Sequence, residues 1–164
     1  KAGNYLVDKM PYNFMHIGVM ALSLPASKII ICERNVIDNC FSIFKQKFGI
    51  GNEYAYSLTE IAEYYSFYKS LIDHWKELLG DKVFSINYQD LTKNQESSTR
   101  DLLAFCGLGW EEGCLQFHKT KRDVKTASAV QVRQPMYTKS VDLWKKYEIQ
   151  LESLVGDLKR LNVL

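Results

Sequence analysis

The residues of this chain with the clearest chemical potential are an arginine and a serine eight positions apart, Arg34 and Ser42. Arg34 follows the apolar run 29–32, and Ser42 lies about two helical turns further on. A guanidinium offers a planar fork of donors to phosphate oxygens, and a nearby helix N-terminus favours anions. The pattern indicates a phosphate site. The alternative is that Arg34 pairs with Glu33 or Asp38 at the surface, with Ser42 a solvated helix residue.

A strand and a helix are the elements that must position this pair. Residues 29–32 are continuously apolar and largely β-branched, which is typical of a strand covered on both faces in a parallel sheet. Asn35 stands in the N-cap position, with Asp38 three residues on. Ligands of open α/β sheets bind at the carboxyl ends of strands, so Arg34 is expected at that edge. The apolar stripe that predicts the helix consists of Val36, Ile37, Cys40, Phe41, Phe44 and Phe48.

Further strands and helices alternate along the rest of the chain. Residues 6–7 predict a short strand that ends near Pro11, and residues 83–88 predict another. Between them, residues 57–80 predict the longest helix, and a final helix is expected over roughly 139–161. This alternation predicts an α/β fold with a parallel sheet. Only three strands are visible, so a further strand is expected before Lys1.

Four segments, taken in order, resemble the sulfotransferases that use 3′-phosphoadenosine 5′-phosphosulfate (PAPS). They are LVDKMPYNFMHIG at 6–18, the stretch 34–42, INYQDL at 86–91, and TASAVQVRQPMYTKSVDLW at 126–144. The chain is similar to the sulfotransferase domain found at the end of tetratricopeptide-repeat proteins, a group related to the protein-tyrosine sulfotransferases. The resemblance implies a P-loop-type three-layer sandwich with a parallel sheet. It also implies that residues 1–164 are the C-terminal part of a single sulfotransferase domain.

The same resemblance implies roles for individual residues. Lys9 is expected to stabilise charge beside the transferring sulfuryl group as the catalytic residue, although its spacing alone favours a surface pair with Asp8. The family usually has a basic residue just before the tryptophan, whereas this chain has Leu143 there. Five residues are expected to contact PAPS: Arg34 and Ser42 its 3′-phosphate, Tyr88 and Ser128 the nucleotide, and Arg133 in the segment that closes over it.

One expected part of a PAPS site does not occur in the sequence. Neither GxxxxGK[ST] nor a sulfotransferase variant such as PRSGTT is found between Lys1 and Leu164. The resemblance places that 5′-phosphosulfate loop, its preceding strand and the general base upstream of Lys1.

Bulk composition narrows the class of protein. With 164 residues, 46% hydrophobic and 24% charged, the chain is expected to form one globular domain. A net charge of +2 gives no support to nucleic-acid binding. The four cysteines form no zinc pattern, so no metal is expected. No run is long and apolar enough to span a bilayer, and we expect a cytoplasmic protein, with a Golgi-type secretory setting as the alternative.

The function predicted from the sequence is transfer of a sulfuryl group from PAPS to a hydroxyl acceptor. The acceptor is left open among a protein tyrosine, a glycan and a small molecule, and tetratricopeptide repeats are expected N-terminal to the chain. One alternative is a non-catalytic nucleotide-binding or protein-interaction domain of the same fold. A second is a P-loop nucleotide kinase, against which the 126–144 motif argues.

Overall fold

Two parallel strands and the helices around them make up the structure, a computed structural model that describes residues 5–120, 133–136 and 140–164. Strands β1 (Ile29–Glu33) and β2 (Val83–Asn87) pair in register from their first residues to their last. The two strands of the described sheet are neighbours, so the other edge of β1 has no strand on it within these residues. The predicted parallel pairing is confirmed.

Helices connect and cover the strands. The α-helices of the described ranges are α1 (Ile17–Ser23), α2 (Val36–Phe44), α3 (Leu58–Leu79), α4 (Tyr88–Lys93), α5 (Gln95–Cys106) and α6 (Glu152–Arg160). Shorter 3-10 helices span Pro11–His16, Glu53–Tyr56, Gly80–Lys82, Glu112–Lys119, Leu143–Tyr147 and Ile149–Leu151.

The helix ends follow the capping signals in the sequence. The Asn35 side chain accepts a hydrogen bond from the Asp38 N–H at the start of α2, and Ser57 accepts one from the Glu60 N–H at the start of α3. At the other end of α3, Gly80 has a φ of 48°, a conformation that glycine adopts with little strain. The predicted bounds of α3 are therefore confirmed.

The sheet separates two layers of helices. On one face, Ile29, Ile31 and Val83 pack with side chains of α3. On the other face, Phe84 of β2 stacks on Phe105 of α5, with 5.1 Å between ring centroids. This arrangement of helix, sheet and helix confirms the predicted three-layer α/β class.

The prediction that β1 is covered on both faces was wrong. Ile30 is 42% exposed and Cys32 is also exposed, because α5 packs against β2 and leaves the second face of β1 open in the described part of the chain.

Two further predictions were wrong. Residues 6–7 form no strand, and Leu6 and Val7 are 95% and 88% exposed, since no described strand lies beside them to pair with. The expected helix over 139–161 is α-helical only in α6, with 3-10 turns before it. Asp142 interrupts it with a left-handed φ of 58°, which a helix cannot contain.

Helix α3 contributes to both parts of the core. Its Ile61 and Ala62 belong to a cluster with α2 and α6, in which Leu154 and Leu158 are fully buried. Its Ile72 belongs to a second cluster with β1 and the segment that contains Phe14 and Ile17. Because α3 is shared, it fixes β1 and α2 relative to each other and so sets the geometry where β1 ends and α2 begins.

Two helical glycines provide a matched test of this packing. A Cβ added at Gly18 would overlap the Trp75 ring of α3, whereas one added at Gly156 in α6 meets nothing within 4 Å. Gly18→Ala is expected to destabilise the fold by about 1–3 kcal/mol through overpacking. Gly156→Ala is expected to stabilise it by about 0.5–1 kcal/mol. Urea-unfolding midpoints measure both, and equal shifts for the two variants would contradict the packing described here.

Candidate active site

Arg34 and Tyr88 lie side by side at the carboxyl edge of the sheet. Glu33 and Asn87 are the last paired residues of β1 and β2, so the residues after them leave the sheet together. The Asn87 side chain accepts from the N–H groups of Gln89 and Asp90, which starts α4 immediately and makes Tyr88 its first residue. The Arg34 guanidinium lies over the Tyr88 ring, 5.3 Å from the ring centroid. The structure thus brings together two of the residues predicted to bind nucleotide.

A third residue at this edge was not singled out from the sequence. Ser140 accepts a hydrogen bond from the Arg34 guanidinium through its carbonyl oxygen. Its hydroxyl lies 3.2 Å from the hydroxyl of Tyr88. Ser140 falls within the 126–144 motif, which was the one signal in the sequence that pointed to this region. The C-terminal part of the chain therefore lies directly against Arg34 and Tyr88.

Asp38 is buried, whereas the alternative interpretation of Arg34 placed it at the surface. The residue is 1% exposed and lies 3.9 Å from the Arg34 guanidinium. Its carboxylate accepts hydrogen bonds from the backbone N–H groups of Asp142, at 2.7 Å, and Trp144, at 3.2 Å. These contacts cover it from solvent. Arg34 and Asp38 are thus neighbours, but their contact is buried and not at the surface, where the alternative interpretation placed it. Glu33, the other partner considered for Arg34, pairs with Lys76 of α3.

The Arg34 guanidinium retains unused hydrogen-bonding capacity. Its Nη2 is directed at Ser140, while its Nε is buried and has no hydrogen-bond partner among the described residues. A buried N–H without a partner costs free energy, and here it belongs to a group that is always charged. An anion that accepts from Nε would satisfy this donor. The orphaned nitrogen therefore fits a phosphate ligand at this edge.

The other residues predicted to bind nucleotide are Ser42, Ser128 and Arg133. Ser42 lies on α2 one turn after Asp38 and is exposed. The guanidinium of Arg133 donates to the carbonyl of Thr120 at 2.9 Å, which is not a contact with the Arg34 edge. Ser128 lies outside the described residues. Roles for these three residues stay predictions.

Lys9 lies on the wall of an open groove beside β1. The groove has a volume of about 870 Å³, and β1 residues 29–32 line it together with Tyr68 and Ile72 of α3. Partial burial raises the pKa of the Cys32 thiol, and the positive charge of Lys9 acts in the opposite direction and lowers it. The Lys9 ammonium therefore acts on the end of β1. Asp8, the alternative partner of Lys9, accepts instead from the Asn13 side chain at 3.0 Å.

The tyrosines near the site pack rather than ionise. The Tyr54 and Tyr64 rings are stacked 4.1 Å apart at 12° and line a cavity of about 220 Å³. Burial raises the pKa of Tyr54 and Tyr65, and it raises that of Tyr68 to about 12. These phenols are therefore neutral at physiological pH. These contacts are those of side chains that pack in the core and at its rim.

None of the helices in the described ranges is both long and apolar enough to cross a membrane. The same residues contain no group of three or more His, Cys, Asp or Glu side chains that could hold a metal ion.

The placement of Lys9 can be tested through the thiol of Cys32. Because the lysine charge lowers the pKa of that thiol, Lys9→Met is expected to move the pH dependence of Cys32 alkylation to higher pH. Lys28→Met is the matched control, since Lys28 lines the same groove but directs its ammonium at the Phe105 ring. Peptide-level mass spectrometry follows the alkylation. An unchanged profile in Lys9→Met, or an equal shift in both variants, would remove Lys9 from this edge.

Comparison with known proteins places this geometry in a family. The model of the family described as "Sulfotransferase family" matches residues 1–112. A protein of Aquifex aeolicus (strain VF5), named only as an uncharacterized protein, is 37% identical over 157 residues. That match covers 94% of this chain and 21% of the relative, so the chain spans about a fifth of the relative's length. Since the family match extends over more than half of the chain and includes Lys9, Arg34, Ser42 and Tyr88, this chain belongs to the sulfotransferase family.

Proposed function

We propose that the protein transfers a sulfuryl group from PAPS to a hydroxyl acceptor, with this chain supplying the site for the donor's 3′-phosphate. The observation that carries the proposal is the Arg34 guanidinium, which lies over Tyr88 at the carboxyl edge of the sheet with a buried, unpaired Nε. Membership of the sulfotransferase family supports sulfuryl transfer as the reaction. PAPS as the donor and the roles of single residues are parts of the proposal.

The 3′-phosphate is the part of PAPS that Arg34 suits. A guanidinium binds phosphate through charge-assisted hydrogen bonds, and these are strongest where water is partly excluded. Arg34 is partly buried, and its guanidinium group lies over the aromatic ring of Tyr88. We propose that Ser42 and Ser128 add hydroxyl donors and that Arg133 closes over the nucleotide. Tyr88 then contacts the nucleotide beside Arg34.

The proposed reaction is an in-line displacement at sulfur. The acceptor hydroxyl oxygen forms a bond to sulfur while the bond from sulfur to the bridging oxygen of the 5′-phosphate breaks. The hydroxyl proton passes to a general base, and adenosine 3′,5′-bisphosphate leaves with the bond's electron pair. The Lys9 ammonium would stabilise the negative charge that grows on the bridging oxygen. Positioning and charge stabilisation supply most of such a rate enhancement.

We further propose that the groove between Lys9 and β1 holds another strand of the same domain, followed by the loop for the 5′-phosphosulfate. The edge of β1 that lines this groove has no partner within the described residues, and Ile30 and Cys32 are exposed beside it. A bare strand edge next to apolar surface is normally covered in a folded protein. The chain would then be the C-terminal part of one sulfotransferase domain, and tetratricopeptide repeats would lie N-terminal to it.

The acceptor is proposed as a hydroxyl on a protein tyrosine, a glycan or a small molecule. A protein tyrosine follows from the resemblance to the protein-tyrosine sulfotransferases. Incubating the full-length protein with radiolabelled PAPS and one acceptor of each class distinguishes the three. Label in one acceptor class supports transfer, whereas tight binding of adenosine 3′,5′-bisphosphate without label in any class would favour a non-catalytic nucleotide-binding domain.

The 3′-phosphate assignment makes a direct prediction for Arg34. Arg34→Ala is expected to weaken binding of adenosine 3′,5′-bisphosphate by about 2 kcal/mol or more, through loss of a charge-assisted contact, with little effect on AMP. Arg100→Ala is a matched control, because Arg100 also lies over an aromatic ring, that of Trp110, at 3.9 Å. Isothermal titration calorimetry measures both nucleotides. Equal losses for the bisphosphate and AMP would contradict the assignment.

A further inference from the structure

We propose that Asp38 is a positioning residue for the 3′-phosphate site. In this role it fixes the C-terminal strap, defined here as residues 140–144, against Arg34 so that the guanidinium turns its free edge toward the ligand. The inference rests on the proposed function, since it assigns a task to Asp38 within that donor site. Asp38 itself would not touch the nucleotide.

Several contacts converge on the Asp38 carboxylate. Both oxygens are used: Oδ2 accepts from the Asp142 N–H at 2.7 Å, and Oδ1 accepts from the Trp144 N–H at 3.2 Å. The same Oδ1 lies 3.9 Å from the Arg34 guanidinium. An ionised carboxylate with 1% exposure is stable only when such donors and charges surround it. Its position therefore dictates where the strap must lie.

The backbone of the strap adopts an unfavourable conformation at Asp142. Asp142 has a φ of 58°, a left-handed conformation that non-glycine residues adopt rarely and at some cost. Its N–H makes the shorter of the two bonds to Asp38. The carboxylate thus stabilises a turn that the sequence would otherwise disfavour. Without that bond, the strap would lose a contact that offsets the cost of its conformation.

The strap also contacts Arg34, the group proposed to bind the ligand. Ser140, at the start of the strap, accepts from Arg34 through its carbonyl and lies beside the Tyr88 hydroxyl. These contacts occupy Nη2 and one face of the guanidinium, while Nε is buried without a partner in the described ranges. Asp38 thereby leaves one edge of Arg34 available. This is the edge that would donate a hydrogen bond to a phosphate oxygen.

The direction in which nucleotide affinity changes distinguishes a positioning role of Asp38 from a direct effect of its negative charge. Removing a negative charge next to Arg34 would reduce the Coulomb repulsion of an anionic ligand and so tighten the binding of any anion. Loss of positioning would weaken binding, and only for a ligand whose 3′-phosphate reaches Arg34. Asp38→Asn is nearly isosteric, keeps one acceptor oxygen and directs an NH₂ group at a backbone N–H. The two explanations therefore predict opposite changes for this variant.

The experiment compares nucleotide binding by the full-length wild type, Asp38→Asn and Asp157→Asn. Asp157 accepts from Thr59 at 2.8 Å and so also joins the C-terminal region to α3, but it contacts neither Arg34 nor the strap. Asp38→Asn is expected to lower the preference for adenosine 3′,5′-bisphosphate over AMP about tenfold, the loss of one charged hydrogen bond. In steady-state assays it should raise KM for PAPS with little change in kcat. Asp157→Asn should leave the preference unchanged.

Each outcome bears on a different claim. A wild type that prefers the bisphosphate, together with an Asp38→Asn variant that keeps or increases that preference, overturns the role of Asp38 alone. An equal fall in Asp157→Asn also overturns it, because the effect would then follow from general loosening. A wild type that does not distinguish the two nucleotides overturns the proposed function and this role with it.

A measurement on the wild type keeps the proposal testable if Asp38→Asn does not fold. If nucleotide binding requires the strap to be in place, the bound nucleotide must in turn stabilise the strap, because ligand binding and opening of the strap are linked equilibria. Hydrogen exchange at the Asp142 and Trp144 amides is expected to slow about tenfold with saturating adenosine 3′,5′-bisphosphate and to change little with AMP. Equal slowing by both nucleotides, or none, would contradict positioning of the 3′-phosphate site by this contact.

Discussion

The buried carboxylate of Asp38 is the constraint on which the rest of the site depends. Taking an ionised group out of water costs several kcal/mol unless nearby donors replace the lost hydration. Here the replacements are the amides of Asp142 and Trp144, which come from a segment 104 and 106 residues away in the chain. Satisfying this one group therefore joins the start of α2 to the C-terminal strap. The surroundings of Arg34 follow from that junction.

The core holds the two sides of this junction in place. Helix α3 packs with β1 in one cluster and with α2 and α6 in the other, so the strand that leads into Arg34 and the helix that follows it share a support. The aliphatic residues Leu151, Leu154 and Leu158 bring the C-terminal region back to α2 and α3. Apolar burial of this kind supplies most of the stabilisation, whereas the polar contacts decide the orientation of the groups at the sheet edge.

The parts of the structure that could be predicted from the sequence are those encoded by nearby residues. The apolar run of β1, the Asn35 and Ser57 caps and the glycine after α3 each act within a few positions, and all occur as predicted. The proximity of Arg34 and Tyr88 also follows, since parallel strands end at one edge. The burial of Asp38 could not be predicted, because its partners are backbone amides of a distant segment and carry no side-chain signal. For the same reason, the turn at Asp142 could not be predicted, and a continuous C-terminal helix was expected in its place.

The most direct test of the central claim is a crystal structure of the full-length protein with adenosine 3′,5′-bisphosphate. The account predicts that an oxygen of the 3′-phosphate lies about 3 Å from Nε of Arg34, a normal hydrogen-bond distance, with Ser140 still against the guanidinium and Asp38 still bonded to the strap. A 3′-phosphate bound elsewhere, with the Nε of Arg34 left without a partner, would contradict it.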